Sequence, residues 1–81
     1  MKPIVLADHA KDRMKEREIN LAQIRAAIEE PHSRMPAFPR PRQRVMRDFG
    51  RNCLDVIYYD NRSHYYVVSV MWLKEEDRFK E

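Results

Sequence analysis

The chain is 81 residues long, which suffices for one domain and one core but not for two. A formal charge of +3, one cysteine, one glycine and three scattered histidines exclude an internal disulfide, a glycine-rich phosphate loop and any regular zinc spacing. The opening apolar run is too short for a signal peptide, and residues 65–73, broken by Ser69, fall short of a membrane span, so a soluble cytoplasmic protein is expected.

Asp8 has the chemistry of an N-cap for a first helix that ends near Arg17 or Glu18. Asn20-Leu21-Ala22-Gln23 has the form of a capping box opening a second helix. Leu21, Ile24, Ala27 and Ile28 give that helix one apolar face, and Pro31 stops it. Four of the five prolines (Pro31, Pro36, Pro39, Pro41) lie within residues 31–42, which predicts an extended loop, partly polyproline II or an edge strand, and excludes a central strand. Residues 44–49 alternate well enough for a strand, Gly50-Arg51-Asn52 makes a turn, and residues 54–59 form the next strand. Asp60-Asn61-Arg62-Ser63 carries hairpin chemistry.

Residues 65–72 give the strongest strand, with Tyr66, Val68, Val70 and Trp72 on one face and Tyr65, Val67, Ser69 and Met71 on the other. Being apolar on both faces, it belongs inside the sheet. Two N-terminal helices followed by an antiparallel meander predict a small α+β domain over residues 1–81, with its core at about 5–73 and a polar tail at 74–81.

The richest stretch is 9–17, His-Ala-Lys-Asp-Arg-Met-Lys-Glu-Arg. His9, Arg13 and Arg17 recur every four residues, which on a helix makes one slowly turning stripe stepping about 40° each time. Ala10 and Met14 form an apolar stripe beside it. An imidazole moves protons near neutral pH, and a guanidinium grips phosphate in a fixed fork. The plain alternative is a solvated face, its arginines snorkelling or paired with Asp12 and Glu16, and His9 serving as a cap. A second basic signal follows, since residues 32–51 hold six arginines (Arg34, Arg40, Arg42, Arg44, Arg47, Arg51) against one acid, Asp48. Such clusters suit phosphate or carboxylate partners.

His9-Ala10, Arg13-Met14, Arg17 and Ile19, then Ile24, Ala27 and Pro31, then Val68-Ser69-Val70, resemble a small bacterial and phage family labelled a domain of unknown function. That family is grouped with RelE- and ParE-like toxins in the wider barnase, EndoU, colicin and RelE fold. The resemblance spans about residues 5–72 and implies two N-terminal helices on an antiparallel sheet of about four strands, often with metal-independent RNA cleavage. It also departs in two places. Glu18 stands where the family has glycine after the second arginine, and the Pro- and Arg-rich insert at 33–43 is longer than the pattern leads one to expect.

Metal-free RNA cleavage needs a base for the 2′-hydroxyl, an acid for the leaving oxygen and cations for the phosphorane. The expected catalytic group is therefore His9, Arg13 and Arg17, with Ser69 from the last strand, and needs no metal or cofactor. Arg44, Arg47, Arg51 and Tyr59 are the expected RNA-binding residues, and the segment 34–51 is expected to flank a concavity beside His9 and Arg13 and to contribute most of the RNA affinity. Of Tyr58, Tyr59, Tyr65 and Tyr66, two are expected to be simple packing. His32 and His64 are expected at the surface, and Cys53 as a buried apolar group rather than a nucleophile. Two hypotheses follow. One is a RelE-like ribonuclease toxin acting on RNA, free or on the ribosome, and held by an acidic antitoxin. The other is a non-catalytic module of the same fold that binds RNA or an acidic protein.

Overall fold

The computed structural model describes residues 2–50 and 52–74, so Arg51 and the expected tail at 75–81 lie outside the described residues. Helix α1 (Asp8–Arg17) is capped by Ala7, which makes no side-chain cap bond. Asp8, the expected cap, sits instead in the first turn, where its charge favours the positive end of the helix dipole. The helix closes on Glu18 in left-handed backbone at φ 54° and ψ 48°. Helix α2 (Leu21–Glu29) opens on the predicted capping box: the Asn20 side chain accepts from the Gln23 N–H at 2.8 Å, and the Gln23 side chain accepts from the Asn20 N–H at 3.0 Å. Ile24, Ala27 and Ile28 are buried, but Leu21 is 49 % exposed and does not join the apolar face.

The sheet has five strands, β1 (Ile4–Leu6), β2 (Ser33–Pro36), β3 (Gln43–Asp48), β4 (Asn52–Asp60) and β5 (Tyr65–Lys74), in the order β1-β5-β4-β3-β2. The class is α+β as expected, but the sheet is mixed rather than antiparallel, because β1 runs parallel to β5. Three residues after a proline are too few to show an alternation of their own. They become a strand only by pairing Ile4, Val5 and Leu6 with Tyr65, Tyr66 and Val67, a parallel ladder that the helices make reachable by crossing over. The other new strand, β2, comes from the proline-rich segment and takes an outer position, where Pro36 needs no N–H for a further neighbour.

One irregularity reorders the faces of β5. Ile57 pairs with Ser69 and Tyr58 with Val67, leaving Val68 as the extra residue of a bulge. The bulge resets the alternation, so Val67 and Val70 are both buried on the helix side, with Tyr65 and Trp72 packed beside them. Tyr66, Ser69 and Met71 therefore lie on the opposite face, and the strict two-residue alternation predicted for this strand is corrected at Val68. On β4 the helix side carries Leu54, Val56 and Tyr58, and on β3 it carries Val45.

These residues, with Ala10, Ile19, Ile24, Ala27 and Ile28, make one core between the helices and a single sheet face. Each large aliphatic side chain in it contributes on the order of 1.5–3 kcal/mol. Helix α1 lies along β5 and β1, and α2 over β4 and β3. Both ends of α1 are pinned to β5: the Ala7 N–H donates to the Val67 carbonyl at 2.9 Å, and the Trp72 indole N–H donates to the Arg17 carbonyl at 2.9 Å.

Candidate nucleic-acid interface

Burial of Ala10 against the core fixes the roll of α1 and so decides where the predicted stripe points. His9 and Arg17 are exposed and Arg13 is half-buried. Among the described residues none hydrogen-bonds or ion-pairs with any of these three side chains; in particular, neither Asp12 nor Glu16 pairs with Arg13 or Arg17. The stripe ends beside aromatic rings. Trp72, bonded to the Arg17 carbonyl, meets Phe49 edge-on at 6.1 Å, and the Arg47 guanidinium lies 5.5 Å from the Phe49 ring centre.

The arginines of the sheet are differently placed. Arg44 binds Asp55 with two bonds of 2.9 Å, and Asp55 is buried at 3 % exposure. Arg47 donates to the Glu30 carbonyl at the end of α2, while its Nε is buried without a hydrogen-bond partner among the described residues. Arg25 donates to the Lys2 carbonyl at 2.8 Å and pairs with Glu29. Arg34 bonds the Ile28 carbonyl at 2.9 Å, Gln43 at 2.8 Å and the Tyr58 hydroxyl. Burial lifts the Tyr58 phenol above its ordinary value of 10.0, against the opposing pull of the Arg34 hydrogen bond and charge.

The residues predicted as one site thus fall on two faces of the sheet. His9, Arg13, Arg17 and Arg47 are on the helix side, whereas Arg44, Tyr59 and Ser69 are on the open side. Ser69 lies on the face opposite Val70 and Trp72, so the sheet itself separates it from the imidazole and it drops out of the catalytic group. Arg51 lies outside the described residues. The tyrosines divide two and two: Tyr58 and Tyr65 pack edge-to-face at 5.7 Å on the core side, while Tyr59 and Tyr66 pair at 6.4 Å on the open side. His32 is exposed and accepts from the Asp48 N–H, and Cys53 is buried.

A concavity of about 480 Å³ lies in the β2–β3 hairpin, at the far edge of the sheet from α1. Arg34, Arg40, Arg42 and Gln43 supply its polar lining, and Met35, Pro36 and Pro41 supply the rest. Arg42 leaves it to reach Tyr59, donating to the hydroxyl at 3.0 Å and lying 5.6 Å from the ring centre. Arg40 lies 5.8 Å from the ring of Phe38, which is 77 % exposed. Arg40 and Arg42 fall within the basic segment expected to bind RNA without being singled out in it, and Phe38 was not among the expected site residues. The available signal was the run Phe38-Pro-Arg-Pro-Arg42, in which every non-proline residue is aromatic or cationic.

A small α+β domain with an unengaged histidine–arginine stripe on its first helix is the class these features define. A family model described as a domain of unknown function (DUF4258) matches residues 6–72, and the chain belongs to that family. It matches no curated protein and no solved structure.

Proposed function

We propose that this domain binds RNA through its phosphates, in the manner of a RelE-like toxin-type protein, with the His9–Arg13–Arg17 stripe as the contact surface. One observation carries this reading. Arg25, Arg34, Arg44 and Arg47 are engaged within the protein, whereas Arg13 and Arg17 are held beside His9 on a pinned helix with no partner among the described residues; Arg40 and Arg62 also lack a hydrogen bond or ion pair but stand in loops. Two guanidiniums a helical turn apart match successive phosphates of a flexible strand better than a buried ion pair. The Phe49 and Trp72 rings beside Arg17 offer a surface on which a base stacks. The family that the first helix resembles is grouped with RelE- and ParE-like toxins, which suggests the same substrate class, and an acidic antitoxin-like protein would mask the same cationic stripe.

Exposure of His9 at the head of the stripe favours a second step, metal-independent cleavage. The imidazole takes the 2′-hydroxyl proton, the 2′-oxygen attacks phosphorus to form a cyclic phosphate, and the 5′-oxygen leaves, taking up a proton from solvent. Arg13 and Arg17 hold the phosphorane oxygens. The test is induced expression of wild type beside His9→Gln, scored for growth arrest and RNA breakage, with RNA affinity measured on both purified proteins. Cleavage lost by about 100-fold or more with affinity kept within a few-fold identifies a ribonuclease. Intact RNA with both proteins, together with tight RNA binding, identifies the non-catalytic module, and absence of RNA binding removes the proposal.

A further inference from the structure

The β2–β3 concavity collects three arginines and no carboxylate in its lining, and the mutual repulsion of like charges in one hollow calls for an anion. Arg34 is fixed there by the Ile28 carbonyl, Gln43 and Tyr58, so it supplies a standing positive charge rather than a mobile contact. Arg42 has only its Nε engaged by Tyr59 among the bonds described, which leaves the outer nitrogens of its fork for a ligand. Arg40 makes no hydrogen bond among the described residues and lies only over the Phe38 ring. Phe38 is the most exposed large apolar side chain described, at 77 %, and nothing in the fold uses it. A guanidinium pair beside an exposed flat ring is the arrangement that takes a phosphate and an unpaired base together.

We propose that the β2–β3 hairpin holds one nucleotide of a single-stranded RNA, the phosphate on Arg40 and Arg42 and the base on Phe38. The inference rests on the reading of the domain as an RNA binder and adds a second contact, on the sheet edge away from α1. Arg40 and Arg42 line the concavity of about 480 Å³ and Phe38 does not, so the hollow takes the phosphate and sugar while the base lies outside it on the ring, an arrangement open to an unpaired strand but not to a duplex. The Tyr59–Tyr66 pair, reached through Arg42, continues the ring surface onto the open face for a neighbouring base.

The test is fluorescence anisotropy of a labelled short oligouridine between about 50 and 200 mM salt, with wild type, Arg40→Ala and Phe38→Ala. Both side chains are exposed, so melting temperatures should be unchanged, and circular dichroism checks this. Arg40→Ala should weaken binding about tenfold and reduce the salt slope by about 0.7, the loss of one phosphate contact on a single strand. Phe38→Ala should weaken binding about tenfold with the slope unchanged, since stacking releases no counterion. A 4-thiouridine cross-link should map to the hairpin. Uridine monophosphate and polyglutamate serve as competitors, and both should be far weaker than the RNA. Equal competition by the mononucleotide would assign the hollow to a free nucleotide and overturn the proposal. Equal competition by polyglutamate, with Phe38→Ala neutral, would overturn it in favour of an acidic protein. If both hairpin variants bind like wild type while Arg13→Ala does not, this inference fails and the α1 reading stands. RNA bound by no form of the protein would end both.

Discussion

Arg13 and Arg44 illustrate how the same side chain takes opposite roles according to what the fold places beside it. Arg44 meets a carboxylate that is almost wholly buried, so the pair is structural. Arg44→Met strands the Asp55 charge, whereas Asp55→Asn leaves a half-exposed guanidinium that water can serve. Both should destabilise, by about 1–3 kcal/mol, with the larger loss from Arg44→Met, as chemical denaturation will measure. Tyr58 adds a pH dependence of known sign. Its phenol is raised in the folded state, so its stabilising share is complete below its unfolded value near 10 and is lost as pH rises through the higher folded value. Urea midpoints should therefore fall above about pH 10, and Tyr58→Phe should flatten that fall while lowering stability at neutral pH through the lost Arg34 bond.

Among the elements, helix α1 ends on a strained residue. Glu18 holds a left-handed backbone that glycine adopts without penalty. Glu18→Gly should raise stability by up to about 1 kcal/mol, and Asn20→Ala at the next helix should lower it by about 1 kcal/mol, both read from thermal melts. The helices were legible in the sequence because caps, proline stops and the Ile24–Ala27–Ile28 spacing are local signals. The antiparallel ladder of β3, β4 and β5 was legible for the same reason. Strand β1 was not, since its only evidence is pairing with a segment far along the chain. Neither was the bulge at Val68, since an uninterrupted run of Tyr65 to Trp72 offers no residue that marks where the alternation resets. Ser69 lies opposite Val70 by plain alternation, but nothing local marks which face the helices cover, and so the sequence assembled a site from two faces that the sheet keeps apart.

Among the described residues, arginines cluster at the surface along the outer stripe of α1 and at the tip of the β2–β3 hairpin, at opposite edges of the sheet, while Arg62 stands exposed in the β4–β5 turn. The stripe was legible because four-residue spacing carries directly onto a helix surface. The hairpin was legible only as a basic segment, because Arg34, Arg44 and Arg47 look alike in sequence and differ only in the carbonyls and carboxylates they meet. Among the described residues no helix is long and apolar enough to cross a membrane. A strand bound along α1 would release counterions from each phosphate held. The decisive measurement is therefore the salt dependence of RNA affinity for wild type and for Arg13→Ala/Arg17→Ala. Tight binding whose logarithmic salt slope shrinks by about 1.4 in the double variant, about 0.7 for each lost phosphate, is the expected result. An RNA affinity that is indifferent to the double substitution would contradict the assignment of this helix as the RNA contact.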